Sequence, residues 1–207
     1  MDNIKVTDWL DNLAAKTPAP GGGAVAALAA AVAAAQLGMV AVYTTGPKWQ
    51  DREVQMQELN EQLALLRTEA LALVQADTEA FAKVGAAYQL PKTSDVETAA
   101  RSAAIQKALA AAAEPPVQTA KVAELLVEIA AKLAHAGNPN VISDVAVGAA
   151  LARSALEAAI VNIEINEREL VDAAAKHSLQ SAAQHANEII LKAQEVIKTV
   201  RKQIGNV

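Results

Sequence analysis

One acidic side chain interrupts an apolar helical stripe in the middle of the sequence. Between residues 51 and 88, leucine, alanine and aromatic residues recur at spacings of three and four, and the stripe position at residue 77 is Asp77. A carboxylate on a buried face must be paired, hydrogen-bonded or neutral, because burying it alone is unfavourable. Such groups suit acid/base catalysis, so Asp77 is a candidate catalytic residue. A structural pair or a cap at a helix break is the alternative.

A glycine triplet follows two prolines near the N-terminus. Pro18 and Pro20 favour extended backbone, and Gly21, Gly22 and Gly23 then leave bare backbone N–H groups at the start of a helix. The positive end of the helix dipole adds to these donors, so an anionic or carbonyl-bearing ligand could approach closely. A tight turn against a neighbouring helix is the alternative. Neither GxGxxG nor GxxxxGK[ST] spacing is present, which excludes the usual dinucleotide and P-loop patterns.

A second polar stretch, GNPNVISD, runs from residue 137 to residue 144. Its Asn-Pro pair predicts a turn, and Ser143 or Asp144 stands where a helix cap belongs. The helix that follows carries Asp144, Asn162 and Asn166 near one face, with small residues between them, which suggests a groove. The two asparagines, one turn apart, could bind an amide-like ligand or bridge helices.

The other polar candidates are isolated. Lys48 lies on a predicted turn, where it either reaches a ligand or points to solvent. His135, His177 and His185 lack an HExxH context, and cysteine is absent, so no metal site is predicted. No GxSxG nucleophile elbow is present either.

The helix that must position the glycine triplet is predicted to be the centre of the fold. From about Gly22 to Thr45 the chain is rich in alanine and apolar on every side, so other helices should wrap it. Its length also raises the possibility of a membrane span, but alanine gains little in lipid, and we expect a buried helix of a bundle.

Caps and breakers divide the rest of the chain into further helices. The fold class is therefore predicted to be all-α: an up-and-down bundle or array of about six main helices, in a single domain over residues 1–207. The predicted helices are a short one capped by Thr7, a long one from Asp51 to Tyr88, one capped by Ser94 or Asp95 that ends at Pro115-Pro116, one from there to His135, one after Asp144, and one from Asp172 to Ile204.

Composition narrows the function classes. The net charge is −5 with no run of lysine and arginine, and aromatic residues make up only 2 %, which argues against a nucleic-acid partner. The absence of cysteine fits a reducing compartment, and the acidic N-terminal residues do not form a secretory signal. A cytoplasmic protein without a membrane partner is expected.

Several segments, in order, resemble the cyclodeaminase/cyclohydrolase family. They are TPAPGGG at residues 17–23, DTEAF at 77–81, LPK at 90–92, GNPNVISD at 137–144, and the Asn162 and Asn166 pair. The family contains the cyclodeaminase domain of formiminotransferase-cyclodeaminase and the short bacterial methenyltetrahydrofolate cyclohydrolases. The resemblance covers nearly the whole chain and implies an all-helical, homodimeric folate enzyme that needs no cofactor besides its tetrahydrofolate substrate.

The chain departs from the family pattern after the central helix. Where similar members carry a lysine-rich Gly-Lys-Lys-Lys-Tyr-like turn, this sequence has Gly46-Pro47-Lys48-Trp49, and Val42 stands where a polar asparagine is usual. Lys48 is thus the remaining candidate in this turn for binding the anionic glutamate tail.

The resemblance implies addition of water to the amidinium carbon of 5,10-methenyltetrahydrofolate, with ring opening to the 10-formyl form. It assigns Asp77, Asp144 and Lys48 to catalysis. Either carboxylate could be the base, and the other would bind the pterin or act as a second acid/base group. We assign Asp77 as the base and Asp144 to the second role. The implied substrate-binding residues are Pro20, Gly21, Gly22, Gly23, Lys92, Asn140, Ser143, Asn162 and Asn166.

Two other functions stay open at this point. A formimidoyltetrahydrofolate cyclodeaminase would release ammonia from a related substrate in the same pocket. A helical dimerisation or scaffold protein would instead have Asp77 and Asp144 paired locally, with no pocket between them.

Overall fold

The computed structural model describes residues 4–205, and these residues contain helices and no strand. Six long helices follow one short helix, so the predicted all-α class is confirmed. The helices are α1 (Val6–Ala14), α2 (Gly22–Val42), α3 (Glu53–Tyr88), α4 (Asp95–Ala112), α5 (Glu114–Ala136), α6 (Ile142–Glu169) and α7 (Ala173–Gln203), with single 3₁₀ turns at Pro47–Trp49 and Pro139–Val141.

The alanine-rich helix α2 is central, as predicted. It packs against α3, α6 and α5, and Ala27, Ala30 and Leu37 along it are fully buried. Small residues allow this close approach: a methyl group on Gly148 of α6 would lie 2.6 Å from Leu37 Cδ2. Dense packing of small side chains therefore holds the centre of the bundle.

One face of α2 is not covered. The exposed fractions of Val32, Val42 and Tyr43 are 47 %, 53 % and 59 %. Within one chain, the expectation that other helices wrap α2 on every side is met only in part, because α3, α5 and α6 leave a stripe of it open. The helix also ends at Val42, three residues before the predicted Thr45.

Two segments, Gly22–Val42 and Pro139–Glu169, are long and apolar enough to cross a membrane by length and composition. In the structure they are α2 and the α6 region, which pack extensively against each other in the core. A core helix of a soluble bundle passes the same test, so the apolar composition is weak evidence for a span.

Helices α3 and α6 flank α2 and run antiparallel to it. The side chain of Asp77 on α3 lies against Gly23 and that of Asn60 against Gly38, at opposite ends of α2. On the other flank, Asn162 of α6 lies against Gly22. The first turn of α2 is therefore held between polar side chains from both neighbours.

Helix starts agree with the predicted caps in part. Ser94 forms a capping box with Glu97 at the start of α4, as predicted. Thr7 does not cap α1, because the helix already begins at Val6 and the Thr7 hydroxyl donates to Asp8. At α6 the N-cap is Val141.

Ser143 and Asp144 therefore lie within the first turn of α6 instead of capping it. Helix α6 begins at Ile142, and its N-cap residue provides no side-chain hydrogen bond. The two side chains are thus placed on the helix surface, where other groups can bind them.

Helix α3 is unbroken over 36 residues. Leu59, Leu63 and Leu66 are buried as its stripe predicts, but Phe81 and Tyr88 are 52 % and 46 % exposed. The prediction that these aromatics pack in the core is wrong, because this half of α3 extends past the N-terminal end of α2 and faces a cavity.

Candidate functional site

A cavity of about 470 Å³ lies at the N-terminal end of α2. Its walls come from the loop before α2, the C-terminal halves of α3 and α4, and the end of α6; the polar lining includes Asp77, Asn162 and Asn166. Its volume falls in the range of small-molecule sites. Residues far apart in the sequence therefore meet at one end of the bundle.

Asp77 lies against the first turn of α2. Burial raises the pKa of the Asp77 carboxyl, and a hydrogen bond from the backbone of Ala24 opposes that rise. A methyl group on Gly23 would overlap the carboxylate, so glycine is required there for the close approach. One donor of the helix start, the Ala24 N–H, thus serves the protein's own carboxylate, a use that the sequence pattern did not indicate.

Two amides face the cavity from α6. Asn162 Nδ2 donates to Ala158 O at 2.8 Å, and Asn166 Nδ2 donates to Asn162 O at 2.8 Å. Among residues 4–205 these amides make no other hydrogen bond within 3.5 Å. One N–H and the carbonyl oxygen of each remain for a ligand, which suits a heterocycle that carries both donors and acceptors.

Four predicted site residues lie at the other end of α2. Asp144 Oδ1 accepts a hydrogen bond of 2.7 Å from Gln36 Nε2, and Ser143 and Asn140 belong to the same α5–α6 corner. Gln36 is about 20 Å from the start of α2 at 1.5 Å per residue. Within one chain, Asp144 therefore does not share the cavity of Asp77.

Lys48 lies at the same end of α2 as this corner, and we call the four residues Lys48, Asn140, Ser143 and Asp144 the second cluster. Its Nζ lies 5.1 Å from the ring centroid of Trp49, in the 3₁₀ turn that follows α2. Asn138 ties the corner to α2 through a 2.8 Å bond from its Nδ2 to Tyr43 O.

The chain matches the family described as formiminotransferase-cyclodeaminase over residues 5–185. It is 38 % identical to the methenyltetrahydrofolate cyclohydrolase of Methylorubrum extorquens, over 83 % of each chain. It is 33 % identical to the formimidoyltransferase-cyclodeaminase of Mus musculus, over 86 % of this chain but 34 % of that longer protein.

The chain belongs to the formiminotransferase-cyclodeaminase family. The crystal structure of formiminotetrahydrofolate cyclodeaminase from Thermotoga maritima superposes with a TM-score of 0.84 at 30 % identity, and the match covers 98 % of this chain and 96 % of that one. The resemblance drawn from the sequence motifs is therefore confirmed, and the match extends over nearly the whole fold.

In this cyclodeaminase-family chain, the glycine triplet lines the cavity together with Pro18 and Ala19. Pro20 lies in the same loop but does not line it. Lys92 is exposed in the turn after α3, also outside the lining. The structure thus brings Asp77, the glycines and the two asparagines together, and it places the other predicted residues elsewhere.

The sequence analysis did not identify two aromatic residues that line this cavity. Phe81 and Tyr88 line the cavity opposite Ile165. The chain has one phenylalanine and two tyrosines, so two of these three rings lie at one site. Their half-exposed apolar surface suits a flat ligand. The available signal was their position on the stripe of Asp77, which sequence reasoning assigned to core packing.

No group of three or more histidine, cysteine, aspartate or glutamate side chains that could hold a metal ion occurs within residues 4–205. His185 instead lies 2.9 Å from Glu124 on the outer surface. The chemistry available in the cavity is therefore that of two carboxylates, Asp77 and Glu169, two amides and the start of a helix.

Proposed function

We propose that this chain is a methenyltetrahydrofolate cyclohydrolase. The main support is the Asp77 carboxylate, which has a raised pKa and lines a cavity together with amides and aromatic rings. The Methylorubrum extorquens relative, which carries this name, matches over most of both chains. The proposal places the enzyme in the cytoplasm and includes no resident cofactor.

The cavity suits the proton transfers that this reaction requires. As water forms a C–O bond to the cationic bridging carbon, the ionised Asp77 carboxylate accepts its proton and stabilises the nearby positive charge. The bond from that carbon to N5 then breaks: N5 takes the proton from Asp77, and the hydroxyl group of the adduct releases its remaining proton to solvent as it becomes the C=O of the 10-formyl product. Asn162 and Asn166 bind the polar edge of the pterin in this scheme.

A direct assay tests the proposal. Purified protein is mixed with 5,10-methenyltetrahydrofolate, and loss of its amidinium absorbance is compared with the uncatalysed rate. We expect accelerated loss, with no ammonia released from formimidoyltetrahydrofolate in a parallel reaction. An absorbance decay equal to that of buffer alone would refute the cyclohydrolase.

The second candidate is a formimidoyltetrahydrofolate cyclodeaminase. The likeness to the Thermotoga maritima cyclodeaminase over nearly the whole fold favours it. The same carboxylate would then assist ring closure with loss of ammonia, so ammonia release in the parallel reaction would move the assignment there. A scaffold protein is disfavoured, because Asp77 faces a cavity instead of a local cationic partner.

A homodimer forms part of the proposal. On the open side of the bundle, α2 exposes Val32 and Val42, and α6 exposes Val147 and Val161. No charged residue occurs within Gly22–Val42. Two adjacent helices, each about 30 Å long and about 10 Å apart, present a face of roughly 600 Å² when it is treated as a flat surface. That is near the area of about 800 Å² that each partner of a stable complex contributes.

An antiparallel pairing of two copies about Val32 would place the second cluster of one copy beside the cavity of the other. A parallel pairing would bring the two Asp144 carboxylates together, whereas the antiparallel one places each near the positive start of α2 in the other copy. We therefore propose that Asp144 and Lys48 act across this interface, with Asn140 and Ser143 beside them. Asp144 would serve as the pterin-binding or second acid/base carboxylate.

A further inference from the structure

A fixed cation stands beside the cavity at the end of α3. Arg101 of α4 donates from Nη2 to Tyr88 O at 3.0 Å and from Nε to the same oxygen at 3.3 Å. Its Cζ lies 5.6 Å from the centroid of the Tyr88 ring, which lines the cavity. The guanidinium is thus oriented by the residue that forms the cavity wall, and the proposed proton transfers do not use it.

Its charge is not neutralised within the described chain. No carboxylate of residues 4–205 lies within the 4.0 Å salt-bridge distance of Arg101. Glu97, one turn earlier on α4, is engaged with Thr93 and Ser94 in the capping box. A guanidinium has five N–H donors and stays charged at any working pH, so three donors remain for an anion.

Cavity residues follow α3 in a line toward this cation. At 1.5 Å per residue, Phe81 is about 6 Å and Tyr88 about 16 Å beyond Asp77. In an extended folate, the glutamate carboxylates lie about 10 Å from the bridging carbon, with the aminobenzoyl ring between them. With the bridging carbon at Asp77 and the ring against Phe81, the carboxylates point along α3 toward the guanidinium that is held at Tyr88.

We propose that Arg101, oriented by Tyr88, binds the glutamate carboxylates of the folate and selects substrates that carry them. The inference rests on the proposed function and extends it to substrate specificity. Guanidinium and carboxylate match in a planar, bidentate geometry, which a lysine does not provide. It assigns to Arg101 the contact that the sequence assigned to Lys48.

Steady-state kinetics on two substrates test the inference. Wild type and Arg101→Gln are compared on 5,10-methenyltetrahydrofolate and on 5,10-methenyltetrahydropteroate, which lacks the glutamate. We expect Arg101→Gln to raise KM for the first substrate about tenfold with kcat unchanged, the usual effect of losing a charged hydrogen-bonded contact. Turnover of the second substrate should not change, which also reports an intact fold. Lys107→Gln removes a charge from another face of α4 and is the matched control.

Three results would overturn the inference: equal KM values of wild type for both substrates, equal losses of Arg101→Gln on both, or a selective loss in Lys48→Gln alone. The first leaves the cyclohydrolase proposal intact. If wild type turns over neither substrate, the proposed function fails, and calorimetric titration with 5-formyltetrahydrofolate then decides about Arg101. Weaker binding by Arg101→Gln than by wild type supports the contact, and equal binding refutes it.

Discussion

Asp77 combines three properties that a catalytic carboxylate requires. It is partly buried, it accepts a backbone hydrogen bond at the positive start of α2, and it faces a cavity of ligand size. Burial raises its pKa toward the working range of a general base, while the hydrogen bond keeps the ionised form accessible. Its chemistry therefore depends on the first turn of α2 as much as on its own position in α3.

Asp77→Asn is expected to lower kcat by roughly a hundredfold or more, because general-base catalysis contributes on that scale. Asparagine has the same shape, so the fold should persist by circular dichroism. A variant that keeps wild-type kcat would remove Asp77 from the mechanism.

The raised pKa of Asp77 also predicts the pH dependence. As the base must be ionised, kcat/KM should fall as pH decreases through the raised pKa. The free energy of unfolding changes with pH in the opposite direction. Because the folded state binds this proton more tightly than the unfolded chain does, the free energy of unfolding falls as pH rises from the ordinary pKa of 3.8 through the raised pKa. Asp77→Asn should thus unfold at an equal or higher temperature than wild type at pH 7, and a lower unfolding temperature there would contradict this.

Gly23→Ala is expected to abolish most turnover, because the added methyl group overlaps the Asp77 carboxylate and must displace it. Gly85→Ala is the control: a methyl group there meets no atom within 4 Å, and Gly85 is exposed on α3 outside the cavity lining. Assays of the two variants should differ strongly in kcat. Equal activities would show that the contact between α2 and Asp77 is not needed.

At the scale of elements, α3 serves two purposes along its length. Its first half packs on α2, and its second half extends beyond α2 to form the cavity wall with α4 and α6. The same three- and four-residue spacing of apolar side chains runs through both halves. Burial therefore distinguishes a core leucine such as Leu63 from a site residue such as Phe81.

Phe81→Ala and Leu63→Ala should separate these purposes. Leu63 is 1 % exposed, so its truncation should lower the free energy of unfolding by about 2–5 kcal/mol. Phe81 is 52 % exposed, so its truncation should affect stability far less and instead raise KM. Chemical denaturation and steady-state kinetics on both variants check this; a large stability loss for Phe81→Ala would assign it to the core.

At the scale of the whole molecule, the open face of α2 and α6 predicts self-association. Val32→Glu places a charge at the centre of that face and should yield monomers by light scattering at micromolar concentration. Val96→Glu, at a residue of α4 that is 80 % exposed, is the matched control and should remain dimeric. Wild-type protein that is monomeric in this measurement would contradict the proposed dimer.

Subunit mixing tests the shared site. Asp77→Asn and Asp144→Asn should each be inactive alone, but co-refolded in equal amounts they should recover about a quarter of wild-type activity, because half the dimers are mixed and each has one intact site. No recovery, with mixed dimers shown by mass spectrometry, would place Asp144 outside the site of the other copy.

The sequence alone determined the helices, the central position of α2 and the family. These follow from local signals: caps such as Ser94, breakers such as Pro115-Pro116, the alanine-rich run and the ordered motifs. It also identified Asp77 as exceptional, because a carboxylate on an apolar stripe stands out without any coordinates.

Only the tertiary structure decided which polar residues meet. Two residues of α6 on the same helical face, Asp144 and Asn162, lie at opposite ends of α2, because a helix separates them by 1.5 Å per residue and antiparallel packing sets their levels. Sequence periodicity shows which residues share a helix face but not what that face contacts. It therefore assigned Phe81 and Tyr88 to the core and gave no indication of Arg101. The open face of α2 was hidden for the same reason: an apolar surface requires a cover, but its sequence does not say whether the same chain or a second copy provides it.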